Sequence, residues 1–183
     1  ATLKLNGRRV MLRSAISWGY WPVTGLIATP EMAEKQITTA KQLGLNMLNF
    51  HRNIGTPVVL DKADEMGLLY YEEPGSFHSG THDPFIRTIL REKVFRMIKR
   101  DRSHPSLVIY NMINEFGGRL SKDKELVAKR FEDMRDAHAI DPSRTITFTS
   151  GWANKKDALE DSKAHFRPFD TKLYMNGWFD NHR

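Results

Sequence analysis

The strongest candidate for acid–base chemistry lies in residues 107–116, LVIYNMINEF, where a nearly unbroken apolar run ends in Asn114 and Glu115. Burial favours the protonated form of a carboxyl, so a glutamate that such a run delivers into a cleft can act as a general acid. A glycosidic oxygen needs such a proton donor, and the neighbouring amide can donate to a sugar hydroxyl. Two other roles stay open for Glu115: capping the next helix, or an ion pair with an arginine.

Aromatic and polar side chains follow the ends of the other predicted strands. All four Trp residues of the chain, Trp18, Trp21, Trp152 and Trp178, occur at such positions. Flat rings stack on sugar rings, and amides and carboxylates bind sugar hydroxyls, so this enrichment predicts a carbohydrate site. The predicted substrate-binding residues are Asn114, Trp18, His51, Arg52, Glu73, Trp152 and Trp178.

The adjacent residues Glu72 and Glu73 end the third predicted strand. Neighbouring residues of a strand face opposite sides, so one of the two is predicted to enter the site and the other to be a surface charge. His78 and His82, with Glu73, have a spacing that brings two rings to a metal only on a helix, so we predict no metal and no other cofactor. No serine stands in a G-x-S-x-G motif, which argues against a serine nucleophile.

An alternation of short apolar runs and amphipathic segments positions these residues. Strands are predicted at residues 10–16, 45–50, 68–71, 107–112, 145–149 and 172–176, with a hairpin turn at Asn6-Gly7. Helices are predicted to begin at Thr29-Pro30, Thr56-Pro57 and Asp83-Pro84, with two more at residues 126–140 and 155–164. Regular β-α-β alternation predicts a parallel α/β sheet, either a barrel or an open sheet, with its reactive groups at the carboxyl ends of the strands.

Length and composition fit one globular domain over residues 1–183, with 40% hydrophobic and 27% charged residues. The absence of Cys excludes disulfides, and no apolar run has membrane-spanning length, so no membrane association is predicted. The net charge of +6 raises the alternative of a nucleic acid or another polyanion as partner. The basic residues are densest at residues 87–102, where they alternate with apolar residues as on the wet face of a helix, so we predict no nucleic-acid partner.

Five segments occur in an order that is typical of one enzyme family: LNGRRVMLR, AKQLGLNMLNFHRN, LDKADEMGLLYYEEPG, REKVFRMIKRDRSHPSLVIYNMINE and IDPSR. They resemble the catalytic barrel of glycoside hydrolase family 2, the family of β-galactosidases, β-glucuronidases and β-mannosidases. The most specific part runs from Arg100 to Glu115. The resemblance implies a (β/α)8 TIM barrel preceded by β-sandwich domains, and retaining hydrolysis of β-glycosides. It implies that Glu115 is the acid/base, that Asn114 binds the sugar 2-hydroxyl, and that the nucleophile is a glutamate at the end of strand seven.

The chain also departs from the family pattern. Only six strands are predicted, and a complete barrel needs about 250 residues, so we expect a partial TIM barrel of about six β/α units. We expect that this piece alone is inactive, and that it aggregates unless other barrel strands cover its open edge. Asn49 replaces a buried arginine of strand two, the first loop is not His-rich, and the magnesium-binding E-x-H segment of some relatives does not align with residues 76–78. These departures favour a divergent branch with another substrate, and leave a non-catalytic carbohydrate-binding barrel as an alternative. The compartment stays open, although the resemblance is compatible with a periplasmic or secreted location.

Overall fold

The computed structural model describes residues 4–76, 82–116 and 122–150. A two-stranded antiparallel hairpin precedes a sheet of five parallel strands, and four helices connect the strands of that sheet. The strands are β1 (Lys4–Leu5), β2 (Arg8–Arg9), β3 (Ser14–Ile16), β4 (Met47–Phe50), β5 (Leu69–Glu72), β6 (Leu107–Asn111) and β7 (Thr145–Thr147). The helices are α1 (Pro30–Gln42), α2 (Pro57–Met66), α3 (Pro84–Asp101) and α4 (Lys124–Ile140).

The five parallel strands lie in chain order, β3-β4-β5-β6-β7, and every neighbouring pair is parallel. Sequential parallel strands joined by helices are the arrangement of a TIM barrel, so the structure confirms a partial barrel. The first five predicted strands are confirmed: four have shorter bounds, and the strand predicted at 68–71 is observed one residue later, as β5. The predicted strand at 172–176 and the predicted helix at 155–164 lie outside the described residues. We call the carboxyl-terminal edge of the five-stranded sheet the barrel mouth.

The predicted helix starts are confirmed, because a helix begins at each of the three prolines that follow Thr29, Thr56 and Asp83. Thr29 and Asp83 cap their helices through side-chain oxygens that accept from backbone N–H groups of the first turn. Thr56 makes no such side-chain bond. Gly67 ends α2 in the left-handed conformation, at φ 72°, where a residue without Cβ carries no steric cost.

The two faces of the parallel sheet have separate cores. Side chains such as Leu48, Phe50 and Tyr70 face the helices and join the main hydrophobic cluster. Met47, Tyr71 and Ile109 form a second buried cluster on the opposite, inner face. Both faces are therefore covered, as expected for parallel strands in an α/β fold.

The basic segment predicted as the wet face of a helix lies in α3. Part of its charge is neutralised by α4, because Arg87 and Arg91 donate to the Asp133 carboxylate at 3.1 and 2.8 Å. Asp133 is fully buried, so this ion-pair cluster joins the two helices. No helix in the described part of the chain is long and apolar enough to cross a membrane.

Candidate active site

The Asn114–Glu115 pair follows β6 at the barrel mouth. Asn114 is fully buried and Glu115 is 8% exposed, so neither side chain extends into bulk solvent. The Glu115 N–H donates to the Ser150 carbonyl at 2.7 Å, and the Asn114 N–H donates to the Ser76 carbonyl at 2.9 Å. The segments that follow β5 and β7, the two neighbours of β6, thus hold the backbone of the pair in place.

An arginine from a different strand end contacts both residues of this pair. Arg52, just after β4, places Nη2 3.1 Å from Glu115 Oε1 and Nε 3.1 Å from Asn114 Oδ1. Of the two alternative roles left open for Glu115, the ion pair is therefore present. The capping role is wrong, because Asp123 caps α4 by accepting from the Leu126 N–H at 3.0 Å.

Glu73 lies beneath these residues and is completely buried. Its Oε2 accepts from the Arg52 backbone N–H at 2.7 Å, and its Oε1 accepts from the Ser150 hydroxyl at 2.7 Å. His51 is also buried, with Nδ1 3.7 Å from Glu73 Oε1. Glu73, just after β5, is therefore hydrogen-bonded to the residues that follow β4 and β7.

Glu72 faces the other side of the sheet, and the prediction that one residue of the Glu72–Glu73 pair is a surface charge is wrong. Both are fully buried. Glu72 is buried because helices cover the outer face of the strand. Glu72 Oε1 accepts from the Gly55 N–H at 2.8 Å and lies 3.6 Å from Arg100 Nη2. Burial, followed by the nearby Asp101 carboxylate, raises the pKa of Glu72 well above its ordinary value.

Three residues at this mouth have left-handed backbone conformations that cost energy for any residue other than glycine. They are Trp18 at φ 58°, Arg52 at φ 56° and Glu115 at φ 53°. Such strained residues persist where surrounding contacts hold them, and they cluster at functional sites. Each lies just beyond a different strand, so the strain coincides with the candidate site.

Residues 2–176 match the family described as glycosyl hydrolases family 2, TIM barrel domain. The chain belongs to glycoside hydrolase family 2. A beta-galactosidase of Lactococcus lactis subsp. lactis (strain IL1403) is 28% identical over 185 residues, which cover 94% of this chain and 18% of that protein.

Solved structures of family 2 enzymes have the same fold. A family 2 member from Bacteroides cellulosilyticus aligns with a TM-score of 0.75 and 23% identity over 88% of this chain and 21% of that one. The apo Bacteroides uniformis beta-glucuronidase 3 aligns with a TM-score of 0.69 and 24% identity, over 85% and 20%. A beta-galacturonidase from Eisenbergiella tayi, bound to galacturonate, gives 0.72 and 22%, over 81% and 26%. The chain therefore spans about a fifth to a quarter of the length of these relatives.

The aromatic residues of this family 2 barrel divide between the mouth and the core. Trp18 is 49% exposed, packs edge-on against His51 at 4.6 Å between ring centroids, and lies 5.6 Å from the Arg52 guanidinium. Trp21 is buried in the helix-side core, so its interpretation as a mouth residue is wrong. Trp152 and Trp178 lie outside the described residues.

Sequence reasoning missed the polar network beneath the mouth. Asn111 Nδ2 donates to Ser150 Oγ at 3.1 Å, and the Thr147 hydroxyl donates to Asn111 Oδ1 at 2.9 Å. The position of Asn111 at the end of an otherwise apolar strand was the available signal. Asn49, where the resemblance implies a buried arginine, is itself buried on the inner face of the sheet.

One histidine of the pair considered as a metal site, His82, lies among the described residues. His82 Nε2 lies 2.6 Å from Asp123 Oδ2 at the surface, while His78 lies outside the described residues. Within the described ranges no group of three His, Cys, Asp or Glu side chains could hold a metal ion.

Proposed function

We propose that this chain supplies the proton-donating part of a retaining β-glycosidase, with Glu115 as the general acid and base. The observation that carries the proposal is the buried Asn114–Glu115 pair at the end of β6, in a chain whose family consists of glycoside hydrolases. Parallel barrels carry reactive side chains at this edge of the sheet. The proposed domain covers residues 1–183 as part of a longer protein that also has the other barrel strands and β-sandwich domains.

The reaction has two steps in this proposal. In the first step, Glu115 gives its proton to the glycosidic oxygen as the bond to the anomeric carbon breaks, and a second carboxylate bonds to that carbon. In the second step, the Glu115 carboxylate removes a proton from water, whose oxygen attacks the anomeric carbon and releases the second carboxylate. That second carboxylate must lie about 5 Å from Glu115. We propose that it lies on the seventh strand of the complete barrel, which is not β7, the fifth strand of the parallel sheet.

The remaining mouth residues bind the sugar in this proposal. The half-exposed Trp18 ring offers a stacking surface, and Asn114 offers an amide to a sugar hydroxyl. His51, Arg52 and Glu73 lie around this pair and shape the site, with Trp152 and Trp178 as further proposed contacts.

The test is Glu115→Gln in the full-length protein, assayed on phenyl β-D-galactoside, β-D-glucuronide and β-D-mannoside, because the basic phenolate leaves slowly unless its oxygen is protonated. Loss of a general acid or base lowers turnover by about 10²–10⁴-fold. Glu92→Gln is the control, since Glu92 is paired with Arg96 on the surface of α3, away from the barrel mouth, and its substitution should leave the rate unchanged. Proton NMR of the first product formed should show the β-anomer. An α-anomer would contradict retention, and an unchanged rate in Glu115→Gln would contradict the role of Glu115.

A further inference from the structure

One side chain joins the two residues on which the proposed function depends. Arg52 follows β4, while Asn114 and Glu115 follow β6, so the arginine reaches across the end of the intervening strand β5. Its Nε donates to Asn114 Oδ1 and its Nη2 donates to Glu115 Oε1, both at 3.1 Å. A guanidinium is planar and presents its donors in a fixed geometry, so this contact constrains both partners at once.

The contact determines which way the Asn114 amide points. A guanidinium has donors and no acceptor, so the amide atom that faces it must be the oxygen. The other end of the planar amide, Nδ2, therefore points away from Arg52. Asn114 is fully buried, and Nδ2 has no hydrogen-bond partner among the described residues. A buried unpaired donor costs free energy, which an acceptor brought by a ligand would recover.

Arg52 is itself held in place by the buried Glu73 carboxylate. Its left-handed backbone, at φ 56°, is fixed by the 2.7 Å hydrogen bond from its N–H to Glu73 Oε2. Glu73 is in turn bonded to the Ser150 hydroxyl. The Trp18 ring lies 5.6 Å from the guanidinium, within the range of a cation–π contact. Because its backbone is fixed by Glu73 and its guanidinium lies beside the Trp18 ring, Arg52 can fix the orientation of the two side chains that it contacts.

We propose that Arg52 is a positioning residue, which orients the Asn114 amide so that Nδ2 is presented to a sugar hydroxyl oxygen, and which holds the Glu115 carboxyl beside it. This inference rests on the proposed function and adds a specificity element to it. The site favours a sugar whose hydroxyl accepts a hydrogen bond from Asn114. Arg52 acts through its two neighbours and takes no part in bond cleavage.

The kinetic test uses Arg52→Gly, because glycine adopts the left-handed backbone freely and keeps the N–H that Glu73 accepts. On the p-nitrophenyl glycoside that the full-length protein hydrolyses fastest, kcat should fall by about 10- to 100-fold, the effect of losing hydrogen bonds to a charged group. On the matching 2-deoxy glycoside the fall should be about tenfold smaller, because the hydroxyl that the amide would meet is absent. Added guanidinium chloride should restore part of the lost rate, and Arg52→Lys should retain part of it. Equal losses on the two substrates, without rescue, would overturn the proposal.

A second measurement needs no turnover. Melting temperatures of Arg52→Gly, Asn114→Ala and the double variant form a cycle, and two residues in contact should give a double-variant shift smaller than the sum of the single shifts. Arg96→Ala is the matched control, because Arg96 is exposed and, among the described residues, forms its ion pair with Glu92. Combined with Asn114→Ala, its effect should be additive. An additive result for Arg52 with Asn114 would refute the proposal. A non-additive result in a protein that hydrolyses no glycoside would overturn the proposed function while supporting the contact.

Discussion

Glu72→Gln should remove a pH-dependent loss of stability. Glu72 is fully buried between β5 and the helices, and burial together with the Asp101 carboxylate raises its pKa well above the ordinary 4.5. The folded protein therefore keeps a proton on this carboxyl at pH values where an unfolded chain has released it. Because the folded state then binds more protons, the free energy of unfolding falls as pH rises from about 4.5 towards the raised pKa.

The size of the effect follows from linkage. One proton of difference between the folded and unfolded states changes the free energy of unfolding by about 1.4 kcal/mol for every pH unit within that window. Glutamine cannot ionise, but its oxygen can still accept from the Gly55 N–H, now at 2.8 Å from Glu72 Oε1, and its amide can donate to Asp101. Asp101 keeps its contacts with Arg100, at 2.7 Å from both Nε and Nη2. The variant should therefore fold.

Urea unfolding of the protein and of Glu72→Gln at several pH values between about 5 and 8 measures the difference. The unfolding free energy of the variant should decline less steeply with pH, by up to about 1.4 kcal/mol per unit. Glu65→Gln is the control, because Glu65 is an exposed partner of Lys62 and should leave the slope unchanged. Equal slopes for Glu72→Gln and the unmodified protein would refute the reasoning.

Two further predictions concern packing. Asp133→Asn should lower the free energy of unfolding by about 2 kcal/mol or more, because Arg87 and Arg91 both donate to this buried carboxylate. Urea denaturation measures this loss, and an unchanged midpoint would contradict the prediction. Gly55→Ala should cost about 1–3 kcal/mol, because the added Cβ would lie 2.6 Å from Cδ2 of the buried Phe50 ring. A calorimetric melting temperature equal to that of the unmodified protein would contradict this second prediction.

The order of strands and helices was predictable because it depends on local signals. Thr29-Pro30 and Asp83-Pro84 mark helix starts whose caps need only the next few residues. Gly67 likewise ends α2 by a left-handed backbone that the sequence alone suggests. Strand ends were less accurate, since the extent of a strand depends on its neighbours in the sheet.

The contacts of the site were less predictable, because they join residues that lie far apart in the chain. Arg52 and Glu115 are 63 positions apart, and Ser150 and Glu73 are 77 apart. No local pattern encodes such pairs, which form only when the strand ends are brought to one edge. Glu72 was misassigned for a related reason: the helices that bury it are themselves a tertiary feature.

The dependence of rate on the leaving group tests the role of Glu115 most directly. A series of aryl β-glycosides with increasingly basic phenols separates enzymes that protonate the departing oxygen from those that do not. If Glu115 donates that proton, kcat/KM of the unmodified full-length protein depends weakly on phenol basicity, while Glu115→Gln becomes steeply slower as the phenol becomes more basic. If the two proteins give parallel dependences, Glu115 is not the proton donor.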